Sequence, residues 1–511
     1  VAAHECLERG KSVTIIDRHT EEDVGGLART AFGGMALVGT PLQRRMGIKD
    51  SPALALSDWL SFADFGAADE WPKRWAEAYV EQSAERVFDW LCDKGMRFLP
   101  AVNWVERGNY VPGNSVPRYH ILWGTGLGLV ERFVALLAAH RNSDKLRFVF
   151  GCRVDDLVLE GGRVTGCRGV IEATGEECEF VGEQTMVATG GINGNLQKVR
   201  DNWYWGDAPE DILNGSHPYC DGAMHDVVGN NGGVVTHLEN MWNYAAGIPH
   251  PFPKFEGHGL SLIPCKSALW LDHSGNRIGP EPLITGFDTN DMCGRLSAME
   301  KPWSWQVLNW RIAAKEFAIS GAEHNPHIRD SRLLPFLKET LFGNHRLVRQ
   351  MQEESDHFIV ADTLPELVEQ MNALNGDDLV RLENVTHAVN SFDDNVRRGP
   401  AQWNDDQIRR IVHARAWRSD RIRTCKPKPL LEHGPLIAIK LRLITRKSLG
   451  GIQTDLASRA LDRNGQPIDG LYAIGEAAGF GGGGASGKRS LEGTFLSGCI
   501  LTARAAVDSL E

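Results

Sequence analysis

The sequence predicts an α/β protein in which a dinucleotide-binding domain with a parallel sheet is interrupted by a second, inserted domain. Near the amino end, residues 1–9 have the pattern of an amphipathic helix that ends at Gly10, and a β-branched strand follows and ends in Asp17. A pattern typical of the same domain recurs near the carboxyl end, where residues 470–484 combine a strand with a glycine-rich loop. The mixed stretch between these two parts predicts the inserted domain.

Length sets the expected number of domains. A chain of 511 residues is longer than one ordinary hydrophobic core requires, so two or three domains are expected. We predict a nucleotide-binding domain over residues 1–240, a capping domain over residues 241–435, and a return to the first domain over residues 436–511.

Charge, hydropathy and cysteine usage exclude several classes of function. The formal net charge is −11, which argues against a nucleic-acid partner because phosphate neutralisation needs clustered Lys and Arg. No run approaches the length of apolar sequence that a transmembrane helix needs, so we expect no integral membrane segment. The ten cysteines show no CxxC pair and no zinc-like spacing, so we expect reduced thiols, a cytoplasmic location and no metal site.

The helix, glycine, strand and acid of residues 1–17 are typical of the second half of a βαβ dinucleotide unit. In such a unit the acid at the end of the second strand, here Asp17, binds the adenosine ribose. We expect the first strand and its GxGxxG turn immediately before Val1. An ordinary surface acid is the alternative interpretation of Asp17 taken alone.

Glycines mark two further parts of the expected site. Residues 24–35 hold two Gly-Gly pairs, which predict a loop whose amides face a pyrophosphate or a flavin ring, with a flexible loop as the alternative. Residues 147–188 predict a three-stranded meander and a strand that returns the chain to the parallel sheet. Near the carboxyl end, a strand, a glycine-rich loop and a helix that begins near Glu492 predict an anion or carbonyl site.

Taken in order, these blocks resemble the flavoprotein family of fumarate reductases, succinate dehydrogenases and 3-ketosteroid dehydrogenases. The resemblance covers nearly the whole chain. It implies an FAD-binding two-dinucleotide fold, a Rossmann fold of the glutathione-reductase type, with an inserted α+β capping domain. The motifs that carry it are TIID, GGLARTAFGGM, IKDSPAL, MVATGG, DHSGNRI, LGGIQTD and LYAIGEAAG.

The resemblance also implies a cofactor position and a reaction. The ADP part of FAD would lie near Asp17, and its isoalloxazine ring would lie between loops 25–35 and 479–494. Hydride would then pass between flavin N5 and a carbon adjacent to a carbonyl. The acid of the GEAAG motif, Glu476, would contact the ribityl or pyrophosphate region, and the last helix would point its N-terminus at the N1–C2=O edge. The expected cofactor-binding residues are Asp17, Gly25, Gly26, Gly33, Gly34, Met35, Ala188, Thr189, Gly190, Glu476, Gly493 and Thr494.

The chain departs from the family pattern where fumarate reductases bind and protonate their substrate. Residues 279–288, which match the segment after the capping hairpin, contain no Arg. Arg446 and Lys447 stand where the family has a His pair, and Arg489 lies one place away from the carboxylate-binding Arg. These departures disfavour fumarate reduction.

The ketosteroid dehydrogenases of the family use Tyr hydroxyls to polarise a ketone and to accept a proton. Tyr119 and Tyr244 are the candidates here, with Arg446 as a third catalytic group, and a partly buried structural tyrosine is the alternative for each. Our first hypothesis is a dehydrogenase or ene-reductase of an apolar cyclic or unsaturated ketone, such as a ketosteroid. Weaker candidates are His120 and His250, and side chains suited to an apolar pocket are Trp104, Trp123 and Trp242.

Two rival hypotheses stay open at this stage. A reductase of an unsaturated acid would hold the carboxylate with Arg446, Lys447 or Arg489, so replacing these residues would raise KM steeply for an acid substrate. A chain without the first strand and its turn would instead be a truncated product that retains FAD weakly. Because the sequence has no CxxCH motif, we expect a diffusible electron donor or acceptor; the oligomeric state is left open.

Overall fold

Short strands alternate with helices through residues 1–201, as expected for a dinucleotide-binding domain. The structure is a computed structural model and describes residues 1–510. The helices of this part are α1 (Ala2–Glu8), α2 (Gly26–Thr30), α3 (Pro41–Arg45), α4 (Pro52–Ala63), α5 (Glu70–Ser83), α6 (Trp90–Asp93), α7 (Thr125–Ala138) and α8 (Leu196–Asp201). The strands are β1 (Val13–Ile16), β2 (Gly34–Ala36), β3 (Tyr119–Ile121), β4 (Leu146–Val149), β5 (Cys152–Glu160), β6 (Arg163–Ile171), β7 (Glu176–Val181) and β8 (Thr185–Val187).

The middle of the chain contains the longest strands and most of the helices. Its helices are α9 (Ala223–Asn230), α10 (Thr289–Ser297), α11 (Trp310–Glu316), α12 (Pro326–Arg329), α13 (Leu333–Phe342), α14 (His345–Glu354), α15 (Leu364–Asn375), α16 (Leu382–Arg397), α17 (Asp406–Ala416) and α18 (Arg418–Arg423). Its strands are β9 (Leu213–Asn214), β10 (Val235–Thr236), β11 (Met241–Pro249), β12 (Gly259–Ile263), β13 (Leu269–Leu271), β14 (Trp303–Asn309), β15 (Ala318–Ile319), β16 (Phe358–Ala361) and β17 (Leu436–Ser448).

The last part of the chain returns to the first part. It consists of strands β18 (Gly451–Ile452), β19 (Arg459–Leu461) and β20 (Pro467–Ala473), followed by helix α19 (Thr494–Asp508). Strand β20 lies parallel to β8, with Leu471 opposite Thr185, so segments far apart in the sequence share one sheet. Strand β1 lies parallel to β4, and strands β5, β6 and β7 form the expected antiparallel meander.

An eight-stranded sheet is the centre of the middle part, and β17 is its central strand. The run Leu436–Ser448 is almost entirely buried, because β14 and β16 flank its first half and β11 and β9 flank its second half. A continuous apolar run is what a strand buried on both faces requires. At its carboxyl end β17 is still paired with β11, with Ser448 opposite Met241, and the Ser448 N–H there donates to Glu476.

Two expected helix starts differ from the observed ones. The sequence predicts a glycine-rich turn over residues 123–128 and a helix from Leu129, but α7 already begins at Thr125. The reason is packing: a β-carbon on Gly126 would overlap the carbonyl oxygen of Ala28, so this glycine lets the first turn of α7 lie against α2. The last helix begins at Thr494, shortly after the expected start near Glu492.

Two further sequence expectations concern thiols and membrane spans. All ten cysteines carry free thiols, as predicted. Within residues 1–510 there is no helix with the length and the apolar character needed to cross a bilayer.

Candidate functional site

One end of the candidate site lies at the carboxyl ends of β1 and β8. Asp17 follows β1, and its Oδ1 accepts a hydrogen bond from the backbone N–H of His19 at 2.9 Å. The His19 ring packs edge-on against His217 at 5.0 Å, and the turn that begins there brings Cys220 against Gly190. Asp17 is therefore linked through one loop to the segment 188–190, whose first two residues are exposed.

The middle of the site is formed where β17 ends. Glu476 accepts a hydrogen bond from the backbone N–H of Ser448 at 2.9 Å, and a β-carbon on Gly191 would lie 2.6 Å from its Oε1. Burial raises the pKa of Glu476 above its usual value. Burial, and then the neighbouring Arg446, lower the pKa of Lys447 below its usual value. An acid and a base with shifted pKa values thus lie beside the loop that follows β8.

The glycine loop of residues 25–35 is shaped mainly by helix α7. A β-carbon on Gly25 would lie 2.6 Å from Val130, and one on Gly33 would lie 2.9 Å from the backbone of Thr125. Gly26, in contrast, faces open space, and its φ of 51° favours glycine. Two of these glycines therefore allow close helix packing, whereas the β-carbon position of Gly26 is open.

Tyr119 packs directly on backbone that the sequence assigns to the flavin ring. Strands β2 and β3 pair antiparallel, with Met35 opposite His120, and the Tyr119 hydroxyl occupies the space where a side chain on Gly34 would lie. Gly493 lies against the same ring, and its carbonyl accepts a hydrogen bond from the N–H that follows Met35 at 2.8 Å. The structure therefore brings Gly34, Met35, Tyr119 and Gly493 together.

Helix α19 begins beside these residues. Gly493 has a φ of 101° and precedes Thr494, the first residue of the helix. The Thr494 hydroxyl lies 2.9 Å from the Ser490 hydroxyl in a small buried hydroxyl cluster. The free backbone N–H groups of the first turn, rather than the Thr494 side chain, are the donors available to a ligand.

Tyr244 meets a carboxylate that the sequence reasoning did not select. Its hydroxyl donates to Oε2 of Glu492 at 3.1 Å, and the indole N–H of Trp242 donates to the same oxygen at 2.8 Å. Burial, followed by the charge of Glu492, raises the pKa of Tyr244 well above its usual value; the same two causes raise the pKa of Tyr119. Glu492 could have been found from its place directly before the glycine that starts a helix.

Arg446 lies next to Tyr244 on the neighbouring strand. Its Nη1 donates to the carbonyl of Gly215 at 2.6 Å, and its guanidinium carbon lies 5.8 Å from the centre of the Tyr244 ring. Its Nε is buried and has no hydrogen-bond partner within residues 1–510. The structure thus places Arg446 beside Tyr244, and its Nε–H donor has no partner within the described residues.

The weaker candidates make hydrogen bonds and ring contacts within the protein. His120 is buried, with Nε2 2.8 Å from the Thr40 hydroxyl and Nδ1 2.6 Å from a backbone carbonyl. His250 stacks on His258 at 4.3 Å, and its Nδ1 accepts a hydrogen bond from a backbone N–H. The indole of Trp104 donates to a backbone carbonyl, and Trp123 packs edge-on against an aromatic ring of α13.

Glu323 and His324 lie close enough to His250 to suggest a metal site. The three residues offer ligand atoms within 4.8 Å of one another. Because the Nδ1 of His250 accepts a hydrogen bond, its proton lies on Nε2, the atom that faces Glu323. With its proton on Nε2, His250 makes a polar contact with Glu323 at 3.8 Å and does not present that atom to a metal, so no metal is assigned to these three residues.

A second buried carboxylate, Glu106, joins the capping part to the site. It is 3% exposed and accepts hydrogen bonds from the N–H of Thr289 at 3.1 Å and from its hydroxyl at 2.6 Å, so it caps the start of α10. Burial raises the pKa of Glu106 to about 8, and the nearby Asp288 adds to the shift. Its φ of 50° is unusual for a residue other than glycine. No sequence signal marks Glu106, because only the tertiary contact with α10 gives it a role.

Comparison with known proteins identifies the class. Residues 1–496 match the family described as FAD binding domain, so the chain belongs to that family and is an FAD-dependent oxidoreductase. A KsdD-like steroid dehydrogenase of Mycobacterium tuberculosis (strain CDC 1551 / Oshkosh) is 43% identical over 531 aligned positions, covering 99% of this chain and 92% of the relative. The chain is therefore a relative of the KsdD-like steroid dehydrogenases.

Two solved structures share the fold. The 3-ketosteroid delta1-dehydrogenase of Sterolibacterium denitrificans, in complex with 1,4-androstadiene-3,17-dione, aligns with a TM-score of 0.70 at 15% identity and covers 99% of this chain and 96% of that chain. The open conformation of a flavocytochrome c3 fumarate reductase aligns with a TM-score of 0.69 at 17% identity, covering 99% and 75%. These alignments confirm the predicted FAD-binding fold.

The residues present fit FAD. The exposed end of β8 at Ala188 and the N-terminus of α19 offer backbone donors to an extended anionic ligand, and the open space at Gly26 leaves its loop accessible to one. The unpartnered Nε of Arg446 and the titratable pair Lys447 and Glu476 add side-chain groups to the same site.

Proposed function

We propose that this protein is an FAD-dependent dehydrogenase of an apolar cyclic ketone, with steroid ketones as the substrate class. The observation that carries the proposal is the group formed by Tyr119, Tyr244 and Glu492 at the start of α19. The printed names of the relatives and the androstadienedione in one structural neighbour support the same class. When bound, FAD would accept the hydride from the substrate.

Three side chains polarise the ketone, remove a proton and position the catalytic tyrosine. Burial keeps the Tyr119 hydroxyl protonated, so it donates a hydrogen bond to the ketone oxygen and draws electron density from the adjacent carbon. The Tyr244 oxygen takes a proton from the carbon next to the carbonyl while its own proton passes to Glu492. Arg446 positions the Tyr244 ring from the neighbouring strand.

We further propose the cofactor contacts and the cellular setting. Asp17 binds the adenosine ribose, Ala188, Thr189 and Gly190 follow the dinucleotide, and Glu476 contacts its ribityl or pyrophosphate region. The inserted domain is proposed to lie between residues 240 and 435. We propose a diffusible electron acceptor and a cytoplasmic location, and the free thiols support that location.

Carboxylates near the tyrosines disfavour an unsaturated acid as substrate. Glu492 lies at the centre of the group, and Asp288 lies 3.6 Å from the Nε of Arg489, the residue that would otherwise hold a substrate carboxylate. An anionic substrate would therefore meet like charge where a neutral ketone meets hydrogen-bond partners.

The test is anaerobic reduction of the enzyme-bound flavin by a 3-ketosteroid, measured as the loss of flavin absorbance. We expect Tyr119→Phe and Tyr244→Phe to lower the rate of flavin reduction by about 10²-fold or more, because each removes a hydroxyl that acts in the transition state. Tyr110→Phe, on an exposed tyrosine, is the matched control and should leave the rate unchanged.

Two results would contradict the proposal. One is wild-type flavin reduction in both single variants. The other is a flavin that no 3-ketosteroid reduces, while the reduced enzyme passes its electrons to an unsaturated acid.

A further inference from the structure

Helix α13 exposes an unusual amount of apolar surface. None of its ten residues is buried. The exposed large side chains are Leu333 (52%), Leu334 (79%), Leu337 (42%), Leu341 (61%) and Phe342 (75%). At about 100° per residue these five positions fall on one half of the helix surface. An apolar face of this extent on one helix marks an interaction surface.

Basic side chains accompany this face. Residues 329–349 contain five Arg and Lys residues and two carboxylates, in a chain whose formal net charge is −11. Both carboxylates are paired: Asp330 with Arg329 at 2.7 Å, and Glu339 with a histidine and an arginine. Lys338 is exposed among the apolar side chains, and Arg332 is exposed directly before the helix, 3.8 Å from Asp330. The helix is therefore locally basic although the protein as a whole is acidic.

The inner side of the same helix packs toward the candidate catalytic group. Phe336 lies 5.8 Å from the Trp123 ring, edge to face, and both belong to an apolar cluster that includes Phe32 and Tyr119. Aromatic side chains thus connect the helix with Tyr119.

We propose that α13 is a membrane-docking helix that lies in the headgroup region of an anionic lipid bilayer. An apolar face accompanied by basic residues, without the length to span, is the pattern of an interfacial helix. The leucines and Phe342 enter the acyl boundary while Arg332 and Lys338 contact lipid phosphates. Docking at this position holds the aromatic cluster that includes Tyr119 close to the bilayer, from which an apolar ligand can enter. The identity of that ligand rests on the proposed function.

The charge distribution favours a bilayer over a second copy of the chain. Two copies that join through α13 would bring their basic side chains together, and like charges across an interface oppose association. Anionic lipid provides the opposite charge for both Arg332 and Lys338. Dimerisation of two copies through α13 is the alternative outcome that the experiment distinguishes.

The experiment is co-sedimentation of the purified protein with vesicles of phosphatidylcholine, with and without phosphatidylglycerol. We expect the wild type to pellet with the anionic vesicles, and the triple variant Leu334→Glu, Leu341→Glu, Phe342→Glu to lose more than about a hundredfold in partition coefficient. Lys338→Ala should lose about fivefold, and only on vesicles that contain phosphatidylglycerol. Val181→Glu changes an equally exposed side chain on β7 and should pellet like the wild type.

Activity on a ketone supplied in cyclodextrin shows that the triple variant is folded, because that rate should equal the wild-type rate. The docking proposal is overturned if the wild type stays in the supernatant or if the triple variant pellets equally. It is also overturned if the wild type sediments without lipid as a dimer that the triple variant dissociates. Pelleting needs no turnover, so a chain that pellets but oxidises no ketone would refute the proposed function and leave docking intact.

Discussion

Replacing Glu106 by Gln should make the protein more stable at neutral and alkaline pH. Glu106 is buried at the junction between loop 104–114 and α10, and Thr289 donates two hydrogen bonds to it. Other contacts cross the same junction, including the hydrogen bond from the Gly108 N–H to the Phe287 carbonyl at 2.7 Å. The glutamine carries no charge and keeps one oxygen to accept from the Thr289 N–H, while its NH2 group faces the Thr289 hydroxyl, which can rotate to accept. The substitution therefore removes the cost of ionising the buried acid and keeps a polar partner for both Thr289 groups.

The magnitude follows from the shift in pKa. Burial raises the pKa of Glu106 from 4.5 to about 8, so the folded protein holds the proton more tightly than the unfolded chain does. This stabilisation is present in full below pH 4.5 and is lost as the pH rises to about 8. At about 1.4 kcal/mol per pKa unit, the loss is on the order of 5 kcal/mol, and relaxation around the carboxylate reduces it to roughly 2–5 kcal/mol.

The assay is the midpoint of thermal unfolding, Tm, measured from about pH 5 to about pH 8. We expect the Tm of Glu106→Gln to exceed that of the wild type by several degrees at the alkaline end of this range and to approach it at the acidic end. Glu160→Gln, at an exposed position, is the matched control and should follow the wild-type curve. Parallel curves for wild type and Glu106→Gln across this range would refute the reasoning.

Two glycine substitutions separate the roles of backbone and side chain. Gly34→Ala places a methyl group where the Tyr119 hydroxyl lies, so the ring must move, and kcat should fall by about a hundredfold while the flavin spectrum is kept; an unchanged kcat would show that this ring position is not needed. Gly128→Ala lies inside α7 with no neighbouring atom within 4 Å, so it should raise the free energy of unfolding by about 0.5–1 kcal/mol; a loss of stability in urea unfolding would contradict this.

The local elements were predictable because their signals are short in sequence. The helix, strand and acid of residues 1–17 and the Gly161-Gly162 hairpin follow from periodicity and turn chemistry, and the structure has them as expected. The start of α7 was not predictable, because the close approach of Gly126 to the Ala28 carbonyl, which leaves no room for a side chain, is set by tertiary packing. The same holds for Gly25 and Gly33, whose lack of a side chain serves packing against α7.

The candidate site shows the same limit. The family resemblance predicted Tyr119, Tyr244 and Arg446 as pocket groups, and the structure places the two tyrosines against Gly34 and Glu492. The buried acid of loop 104–114 and the exposed face of α13 carry no motif, since their meaning depends on which surfaces other parts of the chain cover. Long-range contacts of this kind are set by tertiary packing and leave no local pattern.

Strand β17 has a mechanical consequence for any movement of the inserted part. Its thirteen residues extend for about 43 Å through the eight-stranded sheet and end at Ser448, which still pairs with β11. Arg446, Lys447 and Ser448 are its last residues, and the Ser448 N–H holds Glu476. A rotation of the eight-stranded sheet as a rigid unit would therefore shift Arg446 and the contact between Ser448 and Glu476 with it, so opening for substrate exchange must bend near residues 449–451 or be limited to the loops and α10.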